Sequence, residues 1–326
     1  MKICLISFDF WNYDYHIVEK LLQKGIEAHH INVGAFSHRN LKERLINTFS
    51  KVVLQKNLKH EKRQEFIRKS LEKLGHQDQI LILNPDTLDK DTIAFARQYT
   101  DRLITYLYDN IERCPVDGKL DLFDKIFSFD NKDVAKFGFE KLTNYNYLEY
   151  LPQEKQNPKL DLFYITSFDK NRNIILLPLA KQLDTLSLKF QIYVVGKKTW
   201  KYKIKYIFMP HLQNISVKFR RKVIPNKIIN NYYKNSKAIL DLMRIGQIGL
   251  SFRIFEAMAM EKKIVSNNPE IRNYNFYNPE NILILEDDFS NLNRHFFETP
   301  YKKLPKDIYD YYTLESWIDR VFNIAK

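Results

Sequence analysis

The chain has 326 residues, enough for about two domains of ordinary size. With 44% hydrophobic and 28% charged residues it has the composition of a globular protein, not of a disordered chain, a collagen or a coiled-coil rod. Eight glycines leave little room for a glycine-rich dinucleotide fingerprint or a Walker loop. Two cysteines, Cys4 and Cys114, exclude a disulfide framework and a four-cysteine zinc site, so a reducing compartment is the simplest expectation.

The net charge of +13 is concentrated in one interval. Between Asp184 and Asp241 there is no acidic residue and there are 13 basic ones, while the other 39 basic residues balance 39 acidic ones. Such a local positive field draws phosphates, whether of a small substrate, a lipid surface or a nucleic acid, although a lysine-rich solvated face would look the same. No zinc-finger or RRM signature supports nucleic acid, which is not expected as a partner.

In chain order, Lys2 to Phe8 reads as a buried strand. Its apolar run is too short for a signal-peptide core. No stretch approaches the ~20 apolar residues of a membrane span. The expected location is therefore cytoplasmic, with the option of resting on the inner face of the membrane. A helix is predicted from Tyr15 to Lys24, stopped by Gly25, and a strand from Glu27 to Val33. Strand, helix and strand within about 32 residues imply a parallel sheet. Residues 40–75 have helical spacing with many Lys and Arg, readable as surface helices or as a basic segment lying on a membrane. Strand predictions follow at Gln79–Leu83, Leu103–Tyr108, Lys125–Phe129 and Tyr145–Leu151, with a helix at Lys132–Phe137. Residues 152–158 are polar with a proline at each end, and make the best linker in the chain. The rhythm then restarts: strand Leu160–Ile165, helix Asn171–Leu183, strands Phe190–Val195 and Ala238–Leu242, helix Phe252–Met260, strands Lys263–Ser266 and Ile282–Leu285, and a final helix Tyr311–Ile324. The expected class is α/β in two similar domains, 1–152 and 153–326, with ligands at the carboxyl ends of the strands and a cleft between the halves as the default site.

The chemistry is densest from Ile239 to Asn268. A strand, a loop with Gly246 and Gly249, a helix starting near Ser251 and a second strand follow one another. The helix N-terminus offers free N–H groups and a positive dipole end. Arg253 lies in the first turn, where it can pair with phosphate oxygens. Glu256, three residues on, shares its face and can accept from the two hydroxyls of a ribose. Together they describe a nucleotide site, although Ser251 as a plain helix cap and Arg253–Glu256 as a surface ion pair would fit the same residues.

The run Phe255-Glu256-Ala257-Met258-Ala259, followed by Lys-Lys-Ile-Val-Ser, resembles the donor-binding helix of GT-B glycosyltransferases, with their Leu-Glu-Ala-Met-Ala-x-Gly-x-Pro-Val-Val pattern. Gly249 to Glu256 is similar to the bacterial surface-polysaccharide and lipopolysaccharide branch, including its CgeB-like relatives. So are Phe123 to Asp130, Tyr147 to Pro152, and Asp161 to Arg172. The resemblance touches most of the chain and is sharp over about 30 residues. It implies two Rossmann-like domains facing across a cleft, with a C-terminal helix packing back on the first domain. It also implies an acceptor-binding first half, a donor-binding second half, and metal-independent transfer without a cofactor. The donor residues it implies are Thr166, Ser167, Arg172, Gly249, Leu250, Ser251, Arg253 and Glu256. Lys197, Lys198 and His211 join them from the basic interval. Two features depart from the pattern. Ile248 stands where many retaining members have a second Glu, eight positions before the ribose Glu, and Glu261-Lys262-Lys263 replaces Gly-x-Pro.

If the reaction inverts the anomeric centre, a base must take the proton of the acceptor hydroxyl. Asp9, directly after the first strand, is the first candidate, then Asp14 and His16, then Asp109 after the strand ending at Tyr108. Asp9 as a helix cap and His16 as helix surface are the plain alternatives. The adjacent His29 and His30 point to opposite strand faces, and no Gly-x-Ser-x-Gly elbow is present. The expectation is a transferase acting from a nucleotide-sugar onto a lipopolysaccharide, capsule or lipid-linked glycan, near an anionic membrane surface. The rivals are a nucleotide-sugar epimerase of the same fold and a non-catalytic glycan- or nucleotide-binding protein.

Overall fold

The computed structural model describes residues 1–9, 13–35, 57–116, 118–148, 157–196, 199, 216–222, 224–244, 246 and 248–324. It divides into two compact units, Met1–Thr143 with Leu314–Lys326, and Asn144–Thr313.

The first unit opens with β1 (Lys2–Ser7), α1 (Tyr13–Gln23) and β2 (Glu27–Asn32). Gly25 has φ 75°, the left-handed turn that ends α1. Next come α2 (Leu58–Leu74), β3 (Gln77–Leu83), α3 (Lys90–Arg97), β4 (Thr100–Leu107), β5 (Lys125–Ser128), α4 (Asn131–Phe137) and the two-residue β6 (Glu140–Lys141). The strands form one sheet in the order β2-β1-β3-β4-β5-β6, parallel throughout. Cys4, Ile6, Ile80, Ile82 and Leu103 fill one face with Ile67 and Leu71 of α2 and Ile93 of α3. A parallel sheet is covered on both faces, which is why its strands read as unbroken apolar runs rather than alternating ones.

The second unit contains β7 (Leu160–Ser167), α5 (Lys170–Thr185), β8 (Phe190–Val195), β9 (Val217–Arg220), α6 (Asn226–Lys234), β10 (Ser236–Asp241), α7 (Phe252–Ala259), β11 (Lys263–Ser266), β12 (Ile282–Ile284), the short α8 (His295–Glu298) and α9 (Lys306–Tyr311). Its sheet runs β9-β8-β7-β10-β11-β12, again all parallel. Numbered within the unit this is 3-2-1-4-5-6, the Rossmann order. Leu162, Tyr164, Ile192, Val194, Leu240 and Val265 face a core built with α5. Their alternates Phe163, Tyr193, Ile239 and Ile264 face a second core with Ile254, Phe255 and Met258 of α7.

α10 (Leu314–Phe322) closes the first unit, as the resemblance implies. Trp317 is fully buried edge-on against Tyr106, with ring centroids 5.2 Å apart. Lys24, just past α1, reaches Glu315 at 2.9 Å and Asp319 at 3.0 Å. Gln79 and Arg102 donate to the carbonyls of Phe322 and Val321, satisfying acceptors that the helix end leaves open.

Two predicted elements differ. The strand expected at Tyr145–Leu151 is absent over its described residues 145–148, which make only a single bridge, Asn146 to Thr313. Their backbone is used otherwise: Asn146 N–H donates to the Tyr312 carbonyl (2.7 Å) and Leu148 N–H to the Asn146 side chain (2.8 Å). The helix expected over Tyr311–Ile324 is the shorter α10, while Tyr311 ends the separate and unpredicted α9, the chain passing from one unit to the other at 313–314. Helices α3 and α6 and strand β9 were not legible. α6, with four Asn and Tyr residues in its last five, is a poor helix former whose shape comes from packing. The linker at 152–158 and much of the 40–75 segment lie outside the described residues.

Candidate functional site

In an open parallel sheet, the loops leaving two adjacent strands in opposite directions open a crevice at the carboxyl edge. In the second unit that switch point lies between β7 and β10, and the side chains gathered there are cationic.

Arg253, in the first turn of α7, donates Nη1 to Oδ1 of Asp241 at 2.5 Å and Nε to the Ile165 carbonyl at 3.1 Å, and lies over the Tyr164 ring. Asp241 ends β10 and is buried. Burial opposes the Arg253 charge, but Asp241, with Tyr164, Tyr233 and Glu256 around it, outweighs this and raises its pKa. Ser251 precedes α7, yet its hydroxyl does not cap the helix; it donates to Asp241 at 2.7 Å. Arg172, in the first turn of α5, is 7% exposed and donates Nη1 to the Thr166 hydroxyl at 2.6 Å. Burial works against its charge and lowers its pKa, and Arg253 adds to that. Arg244, three residues past β10, donates to Ser167 Oγ at 3.2 Å.

Three guanidiniums thus gather at the switch point, one of them paired with the Asp241 carboxylate. Several polar atoms around them are buried without a hydrogen-bond partner among the described residues: Arg172 Nε, the Tyr164 hydroxyl, and both Nδ2 and Oδ1 of Asn173. Buried polar groups are nearly always paired, so these atoms can take a further hydrogen-bond partner. A cationic cluster at a switch point, with a donor left over, suits an anion with several oxygens.

Glu256 lies one turn beyond Arg253 and is 4% exposed. Its Oε1 accepts the Tyr147 hydroxyl at 2.5 Å and its Oε2 the Tyr233 hydroxyl at 3.0 Å. Gly249 and Leu250 are buried in the loop before α7, and the Leu250 carbonyl accepts from Asn144 at 2.9 Å. Asn267 and Asn268, just past β11, pin that loop through Met243 N–H (2.8 Å) and the Ile248 carbonyl (3.0 Å). Glu261, where the resemblance expects Gly, adopts φ 48°, the left-handed conformation a glycine would take there. Lys262 and Lys263 turn inward, onto the carbonyls of Lys234 (2.9 Å) and Phe296 (2.7 Å).

In the first unit the switch point lies between β1 and β3, and here the groups are acidic. The Asp9 carboxylate accepts from the N–H groups of Asp14 (3.1 Å) and Tyr15 (3.2 Å), so it closes the first turn of α1. Asp14 is 5% exposed and accepts the Tyr108 hydroxyl at 3.1 Å. Burial pushes its carboxyl up to about 6; the charge of Asp9 adds to the rise, and hydrogen bonds from Ser7 and Tyr108 offset part of it. Ser7 also bonds His30 Nε2 at 2.9 Å, and burial holds the His30 pKa below its ordinary value. Asp109 pairs with Arg113 at 3.2 Å, and His16 with Glu19 at 3.4 Å on the helix surface.

The fold therefore brings together Thr166, Ser167, Arg172, Ser251, Arg253 and, one turn on, Glu256. Lys197, Lys198 and His211 lie outside the described residues. Sequence reasoning missed Asp241, Arg244, Tyr233 and the Ser7–His30 pair; the position of Asp241 and Arg244 directly after a strand was the available signal. At the edge of the second sheet, the β9 residues Lys218 and Arg220 and the following Arg221 and Lys222 are exposed. Among the described residues no helix is long and apolar enough to cross a membrane.

No protein-family model matches the sequence, and no curated protein matches it. Solved structures do. Along 99% of this chain and 98% of the other, the fold is similar to HepE of Anabaena, crystallised with UDP and glucose, at 11% identity and TM-score 0.64. It is similar to the apo form of the lipopolysaccharide outer core galactosyltransferase WaaB, at 13% identity, covering 99% and 96% of the two chains with TM-score 0.54. It is also similar to the UDP-GlcNAc 2-epimerase of Methanocaldococcus jannaschii in complex with UDP-GlcNAc and UDP, at 13% identity over 99% of both chains, TM-score 0.55. What is shared at these identities is the fold, the two-unit α/β architecture of GT-B glycosyltransferases.

Proposed function

We propose that this GT-B chain is a glycosyltransferase that moves a sugar from a nucleotide-sugar to a glycan acceptor. The observation that carries the reading is the Arg172–Arg244–Arg253 cluster at the β7/β10 switch point, with Glu256 one turn away on α7. The guanidiniums would hold the diphosphate and stabilise the charge that develops as it leaves, in place of a metal ion. Glu256 would hold the ribose.

The first unit would take the acceptor. Of Asp9, Asp14, His16 and Asp109, our assignment for the proton acceptor is Asp14, whose buried carboxyl is pushed up to about 6, in the range a general base needs. Its carboxyl sits at the carboxyl edge of β1 and β4, where Tyr108 and Ser7 orient it. The similarity to WaaB favours a lipopolysaccharide or related surface glycan as acceptor class. The exposed basic edge at β9 suits an anionic membrane surface or acceptor phosphate beside the site.

The test is direct. The chain is incubated with UDP-, GDP-, CDP-, dTDP- and ADP-sugars, with and without glycolipid acceptors, in the presence of EDTA. Acceptor-dependent release of one nucleoside diphosphate is expected. Arg172→Met should keep the fold and weaken that nucleotide about tenfold or more, the worth of a charge-assisted hydrogen bond. The epimerase likeness supplies the second reading: conversion of the sugar without acceptor would establish it, and binding without turnover would reduce the protein to a carrier.

A further inference from the structure

Glu256 presents a difficulty for any ribose. Its carboxylate is buried, and both oxygens already accept a tyrosine hydroxyl. The two tyrosines are not equivalent. Tyr233 belongs to α6 and is itself buried, 4% exposed, in the core beneath α7. It is part of the fixed frame. Tyr147 is only half-buried and lies in an irregular segment, 144–148, that belongs to no sheet ladder.

That segment is fastened along the start of α7. Asn144 donates to the Leu250 carbonyl, Tyr145 packs edge-on against Phe252 with centroids 5.1 Å apart, and Tyr147 contacts the same ring at 6.4 Å before reaching Glu256. The segment opens the second unit, directly after Thr143.

Resting on the assignment of Glu256 to the ribose, we propose that Tyr147 is a built-in substitute for a ribose hydroxyl, covering Glu256 in the empty protein and giving way when the nucleotide arrives, while Tyr233 stays as the permanent orienting donor. The chemistry favours this division. A buried carboxylate oxygen that loses its donor is costly, so Oε1 is best served by a hydroxyl whether or not a ribose is bound. A hydroxyl on a half-buried, unladdered segment can be exchanged at low cost, and a hydroxyl in the core cannot. Donor binding would then be coupled to segment 144–148, because releasing Tyr147 frees one of its fastenings to α7.

Tyr147→Phe keeps the ring and its Phe252 contact and removes only the hydroxyl; Tyr233→Phe does the same for the other partner. Titration calorimetry on the full chain would use UDP, GDP, CDP and ADP, each beside its 2′-deoxy form. For the nucleotide that binds the wild type, Tyr147→Phe should tighten Kd by roughly three- to tenfold and raise the ribo-to-deoxy preference, whereas Tyr233→Phe should weaken Kd. The empty Tyr147→Phe protein should melt below the wild type although it gains more from ligand. A tyrosine of merely structural value would lower stability with and without ligand and leave the ribo-to-deoxy ratio unmoved. Unchanged or weaker binding in Tyr147→Phe, with wild-type binding intact, overturns this inference and leaves the transferase reading standing. No binding of any of the four nucleotides to the wild type overturns both.

Discussion

The two sheets share a plan and differ in charge. Each is six parallel strands with helices on the faces, and each gathers polar side chains where the strand order reverses. At the second reversal stand Arg172, Arg244 and Arg253 against Asp241; at the first stand Asp9 and Asp14 with Ser7 and Tyr108. The topology decides where a ligand can sit, and the residues after the strands decide what kind. One rim is cationic and the other acidic, the contrast that the proposed donor phosphate and sugar acceptor would call for.

The largest test of this contrast asks which cation is structural. Arg253→Met leaves Asp241 buried without its guanidinium and should destabilise the chain by about 3–5 kcal/mol in urea unfolding. Adding Asp241→Asn should restore much of the loss. If Arg253→Met unfolds like the wild type, the pair is not the keystone of that rim. On the acidic side, Asp14→Asn probes the raised carboxyl. The folded protein binds this proton more tightly than the unfolded chain does. Its contribution is therefore fully present below about pH 4 and is lost as pH rises through about 6. At pH 8 the variant should be more stable than the wild type by about 1–3 kcal/mol, and near pH 4 the gain should vanish. Melting temperatures across that range check it. Transfer activity in the wild type should fall as pH drops through about 6, and Asp14→Asn should lack it throughout.

The smallest effect compares helix ends. The first unit closes α1 and α4 with Gly25 and Gly138 at φ 75° and 70°, whereas the second closes α7 with Glu261 at φ 48°. A side chain in the left-handed region costs about 1 kcal/mol relative to glycine, and the Glu261–Lys303 pair is too exposed to offset it. Glu261→Gly should raise stability by about that amount in the same unfolding assay; a neutral or negative change would mean that the turn depends on its side chain.

Most strands and the helix around Glu256 were legible from residue order because both faces of a parallel sheet are covered, so each strand is a short apolar run closed by a turn residue. The start of the helix after β10 drew attention to Arg253 and Glu256 for the same local reason, whereas Arg172 came from the resemblance. Sequence by itself thus determined the α/β class, the strand–helix rhythm and the chemistry available at the start of α7. Only the tertiary structure decided what each group does with its neighbours. Asp9 became a helix cap because α1 turned its N–H groups toward it. Ser251 turned away from its helix to Asp241, 10 residues upstream, and Glu256 acquired Tyr147 and Tyr233 from positions 109 and 23 residues away. Local propensity reports the backbone a residue prefers; a carboxylate's partners are set by which distant segments the packed sheets bring within hydrogen-bond reach.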